Sequence, residues 1–452
     1  MSYQGRLLRA IPGGAHTYSR GFDQFPSNAP EILERGKGAY VFDPDGKRFL
    51  DYGMGLRSVN LGYGEDKIDH AAFTQIQKGL NLTLPSMIEL EAAELMIDLI
   101  DSVDMVKFTK NGSTAVSAAV KLARAFTGRE LVARCAQQPF FSYDDWFISS
   151  TPMTKGIPKD VIGKTKTFDY NDITSLEELI SNYPGQIACV ILEPASSECP
   201  SVDFGDNSCC GREICSRERV ESSQNYLQKV QELCNKNGIV FVLDEMITGF
   251  RWHIKGAQHL YGVTPDLCTF GKAMANGYAL ACVAGKREIM QLGSTNIEGQ
   301  ERVFLLSTTH GAEMGSLGAF IANVNFMQEH DVIQHLWKYG SELISLINRK
   351  AVEHGIGTHF KAGGVACSPY YSTLDLQGKP SLELRTLFSQ EMIRNGVLMP
   401  WIALSYSHNE AELNITANAL DASFSVFAKA LEDGVAQYLS GPVIKPVFRK
   451  YN

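Results

Sequence analysis

Two neighbouring stretches decide the fold of this chain, IVFVLDEMITGFR at residues 239–251 and PDLCTFGKAMANG at residues 265–277. In the first stretch, an apolar run of five residues ends in Asp244, and in the second a short apolar run ends just before Gly271 and Lys272. Continuous apolar runs are typical of strands that are covered on both faces, as in parallel sheets. We therefore predict Asp244 and Lys272 at the carboxyl ends of two buried strands, where open α/β sheets bind their ligands.

Similar short runs alternate with amphipathic helical patterns from about residue 100 to residue 310. The predicted strands are Met105–Thr109, Leu131–Arg134, Ala188–Glu193, Ile239–Asp244, Leu267–Phe270, Leu280–Ala284 and Val303–Leu306. Helical patterns between them, such as Ala115–Phe126 and Glu221–Asn235, indicate βαβ units. The predicted fold class is α/β, with a large, mostly parallel sheet of seven strands.

The two ends of the chain have a different pattern. Residues 1–60 are rich in Gly, Pro and aromatic residues, and Asp43-Pro44-Asp45-Gly46 predicts a small hairpin. Helical patterns at Gly318–Glu329 and Val332–Glu353 precede short strands and a final helix near Glu410–Glu432. We predict an N-terminal segment (1–60) that joins a smaller α+β domain (316–452), with the large α/β domain between them (61–315).

Charge and hydropathy limit the classes of partner. The 452 residues carry 42 basic and 50 acidic side chains, a net charge of −8, without a basic tract. Nucleic acids and anionic membranes are therefore not expected partners. No window approaches the ~18–20 apolar residues of a membrane span, and the first residues lack the apolar stretch of a signal peptide.

Ten cysteines are scattered along the chain, several of them inside apolar strands, which predicts a reducing, cytoplasmic location. Cys199, Cys209, Cys210 and Cys215 form one cluster. Its spacing fits no paired metal-binding knuckle and it contains no His, so we expect reduced thiols there and no metal.

Four features at predicted strand ends point to the chemistry. A carboxylate such as Asp244 can hold the pyridine nitrogen of pyridoxal 5′-phosphate (PLP) protonated, which makes the ring an electron sink. The alternative is that Asp244 caps a turn. Lys272 provides an amine, although an isolated lysine after a strand is more often structural.

The other two features are an anion loop and an aromatic cluster. Asn111, Gly112 and Ser113 lie between a strand and a helix, where free N–H groups and the helix dipole bind phosphate; an ordinary helix cap would have similar residues. The run PFFSYDDWF (139–147) provides an aromatic ring to lie over a flat cofactor, or core residues. The ordered set of loop, aromatic, carboxylate and lysine predicts a PLP enzyme.

At these residues the sequence resembles the class-III, fold-type-I PLP-dependent aminotransferases, and in particular the group around glutamate-1-semialdehyde aminomutase. LDEMITGFR (243–251) and the lysine segment (265–290) are similar to two highly specific family motifs. KGIPKDVIGKTKTFDYND (155–172), LSTTHGAE (306–313) and SYSHNEAELN (405–414) are similar to further family segments. The resemblance extends from about Ile11 to about Phe424.

The resemblance implies a role for each matching residue. Lys272 corresponds to the Schiff-base lysine, and Asp244 to the partner of the pyridinium. Gly112 and Ser113, beside Asn111, correspond to the phosphate-binding pair. The remaining cofactor contacts implied are Phe140 stacked on the ring, Met246 against its opposite face, Glu193 near the phenolic oxygen or as a structural partner, and Thr309 on the phosphate of the neighbouring subunit's cofactor. A shared site of this kind implies a homodimer.

Substrate contacts are implied less directly. Arg57 lies in YGMGLRSVNLGYG (52–64), which lines the mouth of the active site in relatives, or it forms a surface ion pair. His16 and Arg20 lie in GGAHTYSRGFDQFP (13–26), where the N-terminal segment covers the site in relatives, or they are structural.

The sequence also departs from the aminomutase pattern. The loop Asn111–Ala115 lacks the usual acidic residue, Phe140-Phe141-Ser142 replaces a Tyr-His-Gly segment, and Glu198–Arg219 resembles an insertion near the substrate entrance. These changes favour an aminotransferase that uses an amino donor such as glutamate and a carbonyl acceptor, possible acceptors being a keto-sugar or a semialdehyde. The alternatives are an intramolecular aminomutase, a PLP decarboxylase or racemase, and a non-catalytic protein of this fold.

Overall fold

The computed structural model describes residues 2–195, 198–202 and 224–452. Its strands are β1 (Arg35–Lys37), β2 (Tyr40–Phe42), β3 (Arg48–Asp51), β4 (Met105–Thr109), β5 (Leu131–Cys135), β6 (Thr165–Phe168), β7 (Ile187–Leu192), β8 (Val240–Asp244), β9 (Leu267–Phe270), β10 (Ala281–Gly285), β11 (Phe360–Val365), β12 (Ser368–Thr373) and β13 (Val397–Leu398). Its α-helices are α1 (Tyr3–Ala10), α2 (Met54–Arg57), α3 (Asp66–Ile76), α4 (Met87–Leu99), α5 (Gly112–Thr127), α6 (Asp145–Ile148), α7 (Ile173–Asn182), α8 (Tyr226–Asn237), α9 (Ala257–Tyr261), α10 (Arg287–Met290), α11 (Met314–Glu329), α12 (Val332–Glu353), α13 (Leu382–Arg394) and α14 (Glu410–Asp433).

The chain forms two compact units, one from residues 66–333 and one from residues 1–65 together with 334–452. The sequence placed the corresponding boundaries after residues 60 and 315, and these domain limits stay predictions. Throughout the described ranges, each α-helix is too short or too polar to cross a membrane.

The unit of residues 66–333 is built on a sheet of seven strands in the order β4-β10-β9-β8-β7-β5-β6. Strands β9, β8, β7, β5 and β6 pair in parallel, whereas β10 is antiparallel to both β4 and β9. Every residue of β7 and β8 is buried, because helices cover both faces of a sheet of this type. The predicted α/β fold with a mostly parallel, seven-stranded sheet is confirmed.

One predicted strand is wrong and one strand was missed. Val303–Leu306 is not a strand: Phe304 is 77% exposed and Leu306 has a left-handed φ of +44°, which a strand does not tolerate. The seventh strand is instead β6, an edge strand whose sequence TKTF contains a single apolar residue. An edge strand has one neighbour only, so it needs no continuous apolar run and gives a weak signal in the sequence.

The other unit has an α+β arrangement, as predicted. Strands β1, β2, β3 and β13 form one sheet, in which β2 and β3 make the hairpin around Gly46. Strands β11 and β12 form a second, two-stranded sheet. Val41 and Phe49 pack with Ile393 and Leu398 in a core that joins the N-terminal strands to the C-terminal part of the chain.

Candidate active site

Sheet order brings the candidate residues to one edge. The carboxyl ends of the neighbouring strands β9, β8 and β7 lead directly to Lys272, Asp244 and Glu193. The loop of Phe140 follows β5, the next strand along the sheet, and the Asn111–Ser113 loop follows β4. The carboxyl edge of a parallel sheet is where α/β proteins bind their ligands.

Asp244 is the last residue of β8 and is 2% exposed. Its Oδ1 accepts hydrogen bonds from the Met246 amide at 3.0 Å and from the Thr269 hydroxyl at 3.1 Å. Its Oδ2 accepts no hydrogen bond from any residue that the structure describes. Burial raises the pKa of Asp244 to about 6, although the nearby charge of Lys272 and the two hydrogen bonds act in the opposite direction. The carboxylate is therefore held through one oxygen, and the other is available to a ligand.

Lys272 directly follows β9 and Gly271, and it is half-buried. Its φ of +44° lies in the left-handed region, which costs a residue with a Cβ roughly 1–2 kcal/mol. A short 3-10 helix, Lys272–Ala275, begins at this residue, and its other three residues are buried. Strained backbone of this kind persists only where the surrounding structure fixes it, and it clusters at active sites.

Met246 lies between the turn of Lys272 and the anion loop. A Cβ added to Gly271 would come within 2.6 Å of the Met246 sulfur, and one added to Gly112 within 2.8 Å. Met246 also packs against Ala115 and Ala281 in one buried cluster. The glycines at 112 and 271 are therefore required for close packing around Met246, and their extended or helical φ angles would suit other residues.

The anion loop begins α5. Asn111 is the N-cap of this helix, and its side-chain oxygen accepts the Thr114 amide at 2.9 Å and the Thr114 hydroxyl at 3.0 Å. The amides of Gly112 and Ser113 donate to no acceptor among the described residues. Two free N–H groups at the positive end of a helix of 16 residues can bind an anion such as a phosphate.

Ser142 and Tyr143, in the segment that follows β5, form hydrogen bonds with this loop. The Tyr143 amide donates to Ser113 Oγ at 3.2 Å, and the Tyr143 hydroxyl lies 3.2 Å from Thr114 Oγ1. Ser142 Oγ donates to the Ser113 carbonyl at 3.3 Å. Thr114, at the acidic position of the aminomutase pattern, thus contacts Tyr143, and Ser142, in the segment that replaces Tyr-His-Gly, contacts Ser113.

Phe140 and Glu193 are placed beside this network. Phe140 is 47% exposed and meets Phe147 edge-on, with ring centroids 5.8 Å apart. Glu193 is buried, and Gln138 joins its backbone to the Phe140 loop by accepting the Glu193 amide at 2.7 Å and donating to the Glu193 carbonyl at 2.9 Å. Their roles toward a cofactor stay predictions.

Thr309 lies among the four exposed residues 307–310, shortly before α11. Its exposure is compatible with a contact to another subunit, and that role also stays a prediction.

The three predicted substrate residues belong to the other unit, 1–65 with 334–452. His16 and Arg20 are exposed there, and Arg57 is half-buried. Met54 to Arg57 all have positive φ angles, from +39° to +67°, and so form a left-handed turn. Asp51 holds the start of this turn by accepting the Gly53 amide at 2.7 Å and the Met54 amide at 3.0 Å.

Several residues of the site were missed in the sequence. Thr269, Gly271, Gln138 and Tyr143 each position a candidate residue through contacts between segments far apart in the chain. The only signal for Thr269 was a polar residue inside an apolar strand. No metal site forms from the His, Cys, Asp and Glu of the described ranges; Cys199 is buried, and Cys209, Cys210 and Cys215 lie outside those ranges.

The sequence model of the class-III aminotransferases matches residues 24–363. The chain belongs to this family. One relative, the 3-aminobutyryl-CoA aminotransferase of Cloacimonas acidaminovorans, is 30% identical over 435 residues, which cover 95% of this chain and 98% of the relative. The glutamate-1-semialdehyde 2,1-aminomutase of Francisella philomiragia is 26% identical and covers 90% of this chain and 94% of its own length.

Two solved structures of other proteins have the same fold. The FumI protein of Sphingopyxis sp. MTA144, in its PLP internal aldimine form, is 26% identical and has a TM-score of 0.80 over 95% of this chain and 96% of its own. An omega-transaminase from Sphaerobacter thermophilus, at 23% identity, has a TM-score of 0.77 over 94% of this chain and 97% of its own. The predicted resemblance to fold-type-I PLP-dependent aminotransferases is confirmed.

The cofactor of this enzyme is PLP, and the residues at the sheet edge fit it. The open Oδ2 of buried Asp244 suits a protonated ring nitrogen. The free amides of Gly112 and Ser113 suit a phosphate. Met246 offers an apolar surface between the two, against which a flat ring can pack.

Proposed function

We propose that this class-III family member is a two-substrate aminotransferase, which moves an amino group from a donor such as glutamate to a carbonyl acceptor, a keto-sugar or a semialdehyde being candidates. The observation that carries the proposal is the convergence of Asp244, Met246 and Lys272 at the carboxyl ends of β8 and β9. The CoA-thioester aminotransferase named above, which covers nearly the whole chain, supports transfer between two substrates.

Each residue has a separate task in this proposal. When bound, PLP supplies an electron sink for the electrons released at the substrate Cα. Asp244 Oδ2 keeps the proton on the ring nitrogen, and its fixed Oδ1 prevents the carboxylate from turning away. The amides of Gly112 and Ser113 bind the phosphate, and Met246 supports one face of the ring while Phe140 covers the other.

Lys272 has two tasks. Its Nζ would hold the cofactor through a Schiff base. As a free amine, the same Nζ would be the base that takes up the proton of the substrate Cα and returns it. The fixed left-handed turn at Lys272 keeps the amine at one position during both tasks.

An intramolecular aminomutase is the second candidate, because a relative of that activity is 26% identical over most of the chain. The replacements around Thr114 and Ser142 favour the aminotransferase, since they remove the acidic residue and the Tyr-His pair of the aminomutase pattern. The two reactions differ in one requirement: an aminotransferase consumes an amino donor, and a mutase needs no second substrate.

A homodimer with shared sites is part of the proposal. Thr309 is exposed, as a residue that binds the partner's cofactor has to be in a single subunit. Leu82, Leu84, Met87 and Leu90 are each 52–76% exposed, and exposed apolar side chains close together in sequence are typical of surfaces that another subunit covers.

A cytoplasmic location completes the proposal. The seven cysteines within the described residues that have a free thiol are all buried and form no disulfide. This state of the thiols is expected in a reducing compartment.

The proposed function is tested by half-reactions. The enzyme is first converted to its pyridoxamine form with glutamate or another donor, and keto acids, semialdehydes and keto-sugars are then screened for return of the absorbance of the Lys272-linked form. Return of that absorbance together with stoichiometric 2-oxoglutarate supports the aminotransferase. Turnover of an amino aldehyde without any donor would identify a mutase instead. Lys272→Ala serves as the control and is expected to show no turnover.

The shared site has its own test, in which Lys272→Ala and Thr309→Ala subunits are mixed at limiting PLP. A heterodimer of these subunits contains one site with both residues intact, so mixing restores about a quarter of the wild-type activity, half of the dimers being heterodimers. Activity no higher than the sum of the separate variants would contradict the shared site.

A further inference from the structure

We infer that Lys110 is a positioning residue for phosphate binding, because through Glu313 it joins the anion loop, which serves the subunit's own cofactor, to the segment of Thr309, which serves the partner's cofactor. The inference rests on the proposed function, because it takes Asn111–Ser113 and Thr309 as phosphate-binding groups. Lys110 touches no reacting atom in this role.

Lys110 lies directly between β4 and Asn111, the N-cap of α5. Its Nζ donates to Glu313 Oε1 at 2.7 Å, to Ser316 Oγ at 3.0 Å and to the Ala279 carbonyl at 3.1 Å. An ammonium group has three N–H donors, and each of them has an acceptor here. The side chain is only 24% exposed. Its backbone is fixed between β4 and α5, and its ammonium group is fixed by three acceptors, so Lys110 is a rigid link between these segments and not a mobile surface charge.

The acceptors belong to the two segments that matter for the site. Ala279 lies between Lys272 and β10, and β10 pairs with β4 so that Ala281 is opposite Thr109. Glu313 follows Thr309 by four residues and is the N-cap of α11. Lys110 therefore joins the anion loop both to the chain that follows Lys272 and to the segment of Thr309.

Glu313 is held equally well. Its carboxylate accepts the amides of Gly315 at 2.9 Å and Ser316 at 3.0 Å, as well as the Ser316 hydroxyl. Burial opposes ionisation of Glu313, but the hydrogen bonds from Lys110 and Ser316 outweigh it and hold the pKa of Glu313 below its ordinary value. Without Lys110, the negative charge of Glu313 would remain part-buried beside a phosphate-binding loop, where it repels the ligand.

The test compares two cofactor analogues that differ only in the phosphate. Cofactor-free wild type, Lys110→Met and Glu313→Gln are titrated with PLP and with pyridoxal, and binding is followed by absorbance. We expect Lys110→Met to weaken PLP binding about tenfold, because the anion loop loses its link and the charge of Glu313 is left unpaired beside it, and to leave pyridoxal binding within about twofold. Glu313→Gln weakens the link but retains a capping oxygen and leaves the positive charge of Lys110 beside the loop, so PLP affinity is expected to fall by less.

Two controls separate a positioning role from general destabilisation. Lys107→Met, at an exposed position of β4, removes the same charge three residues earlier and should leave the ratio of PLP to pyridoxal affinity unchanged. Lys110→Arg keeps the charge and several donors and should restore most of the ratio. Hydrogen exchange of residues 306–313 in the cofactor-free protein should accelerate in Lys110→Met and not in Lys107→Met.

The outcomes are distinct from those of the proposed function. If Lys110→Met binds PLP and pyridoxal with the wild-type ratio, the positioning role is wrong, even when the wild type transaminates normally. An equal loss of affinity for both ligands would also overturn it. If Lys110→Met does not fold, Glu313→Gln is used for the test instead. An unchanged ratio of PLP to pyridoxal affinity in Glu313→Gln likewise refutes the inference. Failure of the wild type to use any donor would refute the proposed aminotransferase reaction. The role of Lys110 would still be tested by the ratio of PLP to pyridoxal affinity, which does not depend on turnover.

Discussion

Asp244→Asn provides a sharp test of the site because its effect should change sign when the cofactor binds. The pKa of Asp244 is raised from 3.8 to about 6 by burial. Folding therefore favours the protonated carboxyl, and the stability it contributes below pH 3.8 is lost as the pH rises through about 6. One unit of pKa corresponds to 1.36 kcal/mol, so the shift from 3.8 to about 6 lowers the free energy of unfolding by about 3 kcal/mol once the carboxyl is ionised.

Asparagine resembles the protonated carboxyl and can accept the Met246 and Thr269 hydrogen bonds with its amide oxygen. The cofactor-free Asp244→Asn protein should therefore be about 3 kcal/mol more stable than the cofactor-free wild type at pH 8, and about half of that more stable at pH 5. With PLP present the order reverses, because asparagine cannot hold the proton on the ring nitrogen. We expect weaker PLP binding and a loss of transamination of at least about a hundredfold.

The assay is urea unfolding of the cofactor-free proteins at pH 5 and pH 8, followed by PLP titration of the same samples. Asp98→Asn, at an exposed position of α4, is the matched control and should follow the wild type at both pH values. The reasoning would be refuted if cofactor-free Asp244→Asn were less stable than the wild type at pH 8. A stability difference that does not change between pH 5 and pH 8 would equally refute it.

Three further predictions concern the neighbours of these residues. Thr269→Val removes the hydroxyl bond to Asp244 Oδ1, which costs about 1 kcal/mol; because that bond lowers the pKa of Asp244, the acidic limb of the pH–activity profile should move to higher pH. An unmoved limb would show that Asp244 does not control it. Gly271→Ala places a Cβ 2.6 Å from the Met246 sulfur, so PLP affinity should fall more than about tenfold, and the double variant with Met246→Ala should recover part of it. Lys272→Ala should bind PLP without the absorbance of the covalent link and show no turnover, and measurable transamination in that variant would remove Lys272 from the mechanism.

The sequence alone determined the type of fold and the order of the chemical groups. Continuous apolar runs that end in Asp244 and before Lys272 predicted two buried parallel strands, and the motifs around them predicted the family and PLP. Such features are local: a run of apolar residues, a glycine before a lysine or a cap before a helix is visible within a few residues of the chain. The mistaken strand at Val303–Leu306 and the missed β6 show the limit, because an apolar run does not reveal that Phe304 is exposed or that TKTF finds a partner at the sheet edge.

Only the tertiary structure decided how these groups are held. The pKa of Asp244 depends on its burial and on the Thr269 hydroxyl, which is 25 residues away in sequence. Lys110 and Glu313 are separated by 203 residues, and they meet because β4 and β10 are neighbours and α11 begins beside them. Strand order and helix packing set these distances, and neither is encoded in a short segment of the chain. The sequence thus named the two residues at the centre of the site, while the fold determined the charge, the hydrogen bonds and the neighbours through which we expect them to act.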